Sequence, residues 1–172
     1  MRVILFRHGP AGRRDPARWP DDGARALTPR GGERTEAAAH GLARFADGEV
    51  TILTSPLVRA HATAQIAREA MDVATPVGTL EALAPGGSYR AILTRLGAAG
   101  SGACVVLVGH EPDLGKLAGV LLFGAPARSL PLKKAGACVI DFTGPVEPGA
   151  GHLHAFLPPR TLRRLIQRRS KV

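Results

Sequence analysis

Val3-Ile4-Leu5-Phe6-Arg7-His8-Gly9 and, far downstream, Val105-Val106-Leu107-Val108-Gly109-His110 are two short apolar runs, each ending in a histidine. Both runs read as strands. An open parallel sheet forms its ligand crevice outside the carboxyl ends of its strands, so His8 and His110 share one site if both strands are central. Arg7 indicates what they share. A guanidinium is a planar fork of donors suited to phosphate or carboxylate, and Gly9 would let the backbone approach such an anion closely. The pattern predicts a phosphate-handling site.

Thr51-Ile52-Leu53 is a third apolar run, followed by Thr54-Ser55-Pro56-Leu57-Val58-Arg59-Ala60. Pro56 suits the first turn of a helix and Ser55 its cap. Arg59 then sits about one turn in, on the face aimed back toward the strand end. Along the remaining chain, apolar strands alternate with helical stretches, which predicts an α/β fold. A polar loop from Pro10 to Arg30, carrying Arg13, Arg14, Asp15, Trp19, Asp21 and Asp22, is expected beside the site, where it shapes access. A helix follows from about Gly31 to Ala46, with Ala37, Ala38, Leu42 and Phe45 on its apolar face. Next come a strand at Val50 to Thr54, a helix from Leu57 to Met71, a short strand at Val77 to Leu80 and a helix from Ser88 to Leu96. Cys104 to Val108 is the buried strand before His110, and Pro112 starts a helix running through Leu122. Ala137 to Phe142 and His152 to Leu157 read as late strands, close enough across a Gly/Pro-rich turn to form an antiparallel pair.

The 172 residues suit one domain with a real core, and 45% hydrophobic content excludes a chain disordered by composition. No early segment has the layout of a signal peptide and no apolar run reaches the length of a membrane span, so the expectation is a cytoplasmic protein without membrane association. Cys104 and Cys138, each beside apolar residues, read as buried free thiols. The net charge of +9 is concentrated in the final segment, where Leu162, Leu165, Ile166 and Arg169 fall at helical spacing. That spacing predicts a terminal helix over about 160–172, docked by an apolar stripe and basic on its solvated face. With aromatics at 4% and no stacking platform or zinc pattern, nucleic acid is not the favoured partner. A basic surface instead speeds encounter with acidic, phosphorylated partners.

Arg7-His8-Gly9, Ser55-Pro56-x-x-Arg59-Ala60 and Gly109-His110, in that order, resemble the histidine phosphatase superfamily. Over roughly residues 1 to 160 the chain is similar to the short, SixA-like branch of phosphohistidine phosphatases, as Leu27-Thr28-Pro29-Arg30-Gly31 and Leu83-Ala84-Pro85-Gly86-Gly87 also suggest. No single motif here is specific; their order is. The resemblance implies a three-layer α/β/α fold with a mostly parallel mixed sheet, like phosphoglycerate mutase. It also implies that His8 is a nucleophile, that Arg7, Arg59 and Gly9 bind the phosphoryl group, and that His110 donates to one of its oxygens. Glu81 stands where the wider superfamily often has the general acid, with an exposed or salt-bridged glutamate as the competing reading. The scheme needs no metal and no other cofactor. Glu111 and Asp113 are read as serving the helix start, where acidic residues favour the dipole.

Larger relatives acting on small phosphorylated metabolites commonly carry a long insertion between the positions of Arg59 and His110, and this chain has no room for that lid. An open site favours a phosphoryl group presented on a protein, such as a histidine phosphotransfer domain. Two departures bear on the substrate: Ala26 stands where a proline is common, and the Pro10 to Arg30 loop is rich in arginine and aspartate. The alternatives are a phosphatase of a small phosphate ester and a noncatalytic basic module binding phosphoprotein or nucleic acid. His40, His61, His152 and His154 read as structural or surface residues, since the His-x-His pair has no evident third ligand. Lys133 and Lys134 read as a solvated turn, with contact to substrate phosphate as the alternative.

Overall fold

Arg2–Arg7 forms the first strand, β1, and its inner residues are buried on both sides. Val3 and Leu5 enter one hydrophobic cluster and Ile4 and Phe6 the other, as the two-residue period of a strand requires. A strand covered on both faces has no solvated side for a polar residue, hence its continuous apolar run. The protein is described by a computed structural model covering residues 1–126 and 130–166. After β1 come α1 (Pro29–Leu42), β2 (Val50–Thr54), α2 (Val58–Ala70), β3 (Gly78–Thr79) and α3 (Tyr89–Gly97). These are followed by β4 (Cys104–Gly109), α4 (Asp113–Phe123), β5 (Ala137–Asp141), β6 (His152–Leu157) and α5 (Pro159–Ile166).

The sheet has the order β3-β2-β4-β1-β5-β6. β1, β2, β3 and β4 run parallel, whereas β5 pairs antiparallel with both β1 and β6. One face carries α1, α2 and α5 through Ala38, Leu42, Ala60, Ala64 and Leu162; the other carries α3 and α4 through Ile92, Leu96, Leu117 and Leu121. This is the three-layer α/β/α arrangement with a mostly parallel mixed sheet that the sequence implied. Cys104 and Cys138 are free and buried, and burial pushes the Cys138 thiol up to about 12.

Several boundaries differ from the sequence reading. α1 begins at Pro29 because the Thr28 hydroxyl accepts from Gly31 N, and it ends at Leu42, where a 3-10 turn at Ala43–Phe45 takes over. Ala39, not Ala37, is the second fully buried alanine of its inner face. β3 is shorter than Val77 to Leu80. α2 begins at Val58 and not at Pro56, because the Ser55 hydroxyl contributes to a turn with Leu57 N and caps nothing. The terminal helix docks through Leu162, fully buried, and Leu165, while Ile166 is 36% exposed; Arg169 lies outside the described residues. Among the described residues no helix is long and apolar enough to cross a membrane.

α1 and α5 approach so closely that a Cβ at Gly41 would run into the carbonyl oxygen of Leu162, whereas a Cβ at Gly32 would meet nothing. Gly41→Ala is therefore expected to destabilise by roughly 1–3 kcal/mol through overpacking, and Gly32→Ala to stabilise by roughly 0.5–1 kcal/mol through helix propensity. Urea unfolding of both variants checks this. Shifts of the same sign would show that the helix contact is not limiting.

Candidate active site

Parallel pairing of β1 with β4 places Arg7 opposite Gly109, and the His8 N–H donates to the Gly109 carbonyl at 3.1 Å. The next residues, His8 and His110, leave neighbouring strands at the same level. Their ring centroids lie 5.0 Å apart, and they are 5% and 3% exposed. Burial pushes His8 down to about 3, and the charges of Arg59 and Arg7 act in the same direction. Burial, followed by the Arg59 charge, pushes His110 down to about 4. Both imidazoles are neutral at physiological pH.

Hydrogen bonding assigns the tautomer of His8. His8 Nδ1 lies 2.7 Å from the Gly9 carbonyl, which can only accept, so Nδ1 carries the hydrogen and Nε2 keeps its lone pair. Ser55 Oγ accepts from Leu57 N at 3.3 Å and lies 2.8 Å from His110 Nε2. That oxygen keeps a second lone pair as well as its own hydrogen, so the contact serves either tautomer of His110. His110 Nδ1 is buried and has no hydrogen-bond partner among the described residues. Arg7 Nε and Arg59 Nε are buried without partners as well.

The rest of each guanidinium is anchored. Arg7 Nη1 donates to the Leu132 carbonyl at 2.7 Å, and Arg59 Nη1 donates to the Asp22 carbonyl at 2.7 Å. Arg59 Nη2 also meets the Asp22 carboxylate at 3.1 Å. Burial lowers both arginines, yet a guanidinium stays charged. Arg7, His8, Arg59 and His110 line one cleft of about 560 Å³, together with Arg13, Arg14, Arg25, Lys134, Asp22 and Glu111. Buried unpaired donors and a lone-pair nitrogen in a strongly cationic cleft suit a tetrahedral oxyanion.

The structure does not bring every expected residue to this cleft. Glu81 is exposed in the 3-10 turn Glu81–Leu83, which turns Leu83 into the core; Pro85, further along, lines the cleft and Glu81 does not. The Gly9 N–H donates to Thr63 Oγ1 at 3.0 Å, so it is not free for an anion. The residue must be glycine because a Cβ there would collide with Thr35 Oγ1. Thr63 Oγ1 in turn donates to the Arg59 carbonyl at 2.8 Å. Asp113 stands in the first turn of α4, where the dipole favours an acidic residue, and accepts from Gly86 N at 2.9 Å; Glu111 precedes the helix and accepts from Leu132 N at 3.0 Å. Burial raises the Glu111 carboxyl.

Sequence reasoning gave Ser55 the wrong partner and did not single out Arg25. A usable signal existed, since Asp22 and Arg25 stand three apart and pair through Arg25 Nε at 2.9 Å. Lys134 does reach the cleft, where burial first, and then Arg7, lowers it. His40, His61 and His152 are exposed, and His154 is bonded to Asp141 at 2.9 Å on an outer strand. Among the described residues no three His, Cys, Asp or Glu side chains gather as a metal set.

The family model described as histidine phosphatase superfamily (branch 1) matches residues 3–84. An uncharacterized protein of the cyanobacterium Picosynechococcus is 42% identical over 138 residues, covering 79% of this chain and 82% of that one. The chain belongs to the histidine phosphatase superfamily. Its fold is similar to that of the protein histidine phosphatase SixA solved with tungstate, with TM-score 0.79 and 24% identity, covering 94% and 99% of the two chains. A mutant phosphoserine phosphatase of Entamoeba histolytica, solved with phosphoserine, has TM-score 0.66 and 18% identity over 94% and 98%.

Both histidines titrate lower in the folded protein than in the unfolded chain, for which the ordinary value is 6.5. The unfolded state therefore binds more protons below about pH 6.5, and stability is lost as the pH falls toward the folded values. Urea unfolding between about pH 6.5 and 4.5 should show this decline, and His8→Asn should flatten it. An equal slope in both proteins would assign the decline to other groups. Removing the hydroxyl in Ser55→Ala should free His110 Nε2, so nitrogen NMR should find its tautomer balance changed, and phosphate affinity should fall by about 1 kcal/mol, roughly fivefold. An unchanged His110 spectrum would show that Ser55 does not set the tautomer.

Proposed function

We propose that this protein is a phosphatase that removes the phosphoryl group from phosphohistidine on a partner protein, holding it transiently on its own His8. The observation that carries the reading is the His8 imidazole, neutral and fixed by Gly9 so that Nε2 bears the lone pair. A neutral imidazole needs no separate base to attack phosphorus. In the first step Nε2 forms a bond to phosphorus and the substrate's P–N bond breaks. Arg7 and Arg59 neutralise the charge on the equatorial oxygens and His110 donates to one of them. In the second step water attacks the phosphohistidine, the P–Nε2 bond breaks and phosphate leaves. Neither step requires a metal.

The leaving group supports phosphohistidine over an ester. An alkoxide must be protonated as it departs, whereas a phosphoimidazole protonated on its other ring nitrogen departs as neutral imidazole. Of the two carboxylates in the cleft, Asp22 is held ionised by Arg25, and Glu111, raised by burial, is tied through Oε1 to the Leu132 N–H. Glu81 stands outside it. Carboxylates engaged in this way suit a substrate that does not depend on an acid. The absence of a long insertion between Arg59 and His110 supports a protein-borne phosphoryl group.

The test is phosphate release from a phosphorylated histidine phosphotransfer protein with chelator present, comparing wild type with His8→Ala. Release by wild type and its loss in the variant are expected. Should wild type fail to release phosphate from that protein while hydrolysing a small phosphate ester, the protein-substrate reading falls and the ester reading replaces it. Binding without release, surviving in His8→Ala, would indicate a noncatalytic module.

A further inference from the structure

Two carboxylates, Asp22 and Glu111, line the cleft against six cations, and Asp22 is the one joined to Arg59. Its Oδ2 lies 3.1 Å from Arg59 Nη2, its Oδ1 lies 2.9 Å from Arg25 Nε, and Arg14 Nε approaches Oδ1 at 4.0 Å. Arg59 is thus a phosphoryl-binding arginine with an anion from its own chain already on it. We propose that Asp22 is a resident counter-anion that competes with phosphate for Arg59 and so limits how tightly the cleft holds its product. This inference rests on the phosphate-handling reading of the site.

The chemistry of the competition is direct. Carboxylate and phosphate oxygens are alternative partners for the same guanidinium fork. A cleft with so large an excess of cations, Arg59 among them buried, would hold a phosphate dianion strongly. Binding product as well as the transition state gains nothing for turnover, because release then becomes slow. One negative charge at Arg59 weakens that hold.

The geometry separates this role from mere support of Arg59. The position of the guanidinium is held by the Asp22 main-chain carbonyl on Nη1 at 2.7 Å, a bond that no substitution of the side chain removes. The carboxylate has its own anchor on Arg25, whose Nη1 is fixed to the Gly12 carbonyl at 2.7 Å. Asp22 can therefore release Arg59 to an incoming phosphoryl group and stay bound to Arg25. When phosphate departs, the carboxylate is beside Arg59 to take its place.

Titration calorimetry with inorganic phosphate tests this without relying on turnover. Asp22→Asn keeps the shape and an acceptor oxygen but removes the charge, and it should bind phosphate about tenfold more tightly than wild type. Asp22→Glu, which keeps the charge, should stay near wild type. With the phosphorylated substrate, Asp22→Asn should lower KM and kcat together, with kcat/KM maintained. Asp22→Ser also removes the charge and carries the same expectation if the asparagine variant does not fold. Equal or weaker phosphate binding by the uncharged variant would overturn the proposal and make Asp22 a prop for Arg59. If neither wild type nor the uncharged variant binds phosphate, the reading of the cleft as a phosphate site fails as well. If only the uncharged variant binds, competition is demonstrated.

Discussion

The pairing register of β1 with β4 is the constraint on which the site depends. A shift of one residue would send alternate side chains to the opposite face and separate His8 from His110. The register is held because both strands are buried on both sides, so each side chain must match one of two apolar layers. The core therefore fixes the spacing of two imidazoles that take no part in it. The same burial strips them of water and keeps them neutral, and in the proposed mechanism His8 acts as a neutral nucleophile.

Cations and main-chain carbonyls complete the site. Arg7 and Arg59 each commit one terminal nitrogen to a carbonyl, that of Leu132 or Asp22, and leave Nε without a partner among the described residues. A guanidinium held at one end presents the other in a defined place, which is preorganisation in the electrostatic sense. Holding the buried charge of Arg59 beside that of Arg25 costs stability, and the aspartate that pairs with both offsets part of that cost.

The central strands were legible in the sequence because a doubly covered strand writes itself as an unbroken apolar run, whereas their order in the sheet came from the structure. The pair of histidines was legible because such strands end at a shared crevice. What the sequence did not disclose depends on contacts between segments far apart along the chain. Ser55 resembles a cap by its position before Pro56 and Leu57, yet its hydroxyl serves His110, a residue that the sheet brings to it. Gly9 looked like a backbone approach to an anion, but it answers to Thr35 and Thr63 on two different helices. Glu81 follows a strand at a suggestive place, and only the direction of the following turn decides that its side chain faces outward. Arg25 was one cation among many in a charged loop until its partner was known.

The loop after β1 returns on itself through a bridge between Ala11 and Leu27 and a bond from Gly12 N to the Ala26 carbonyl. His8, by contrast, is located by β4 and by its neighbour Gly9, wedged between α1 and α2. The rim of the cleft and the segment that carries His8 thus have separate foundations. Mutation can rewrite the rim between residues 13 and 21 without moving the nucleophile. A lineage built on this frame can change its clientele while keeping its chemistry, with Asp22 as the point where the two histories remain tied.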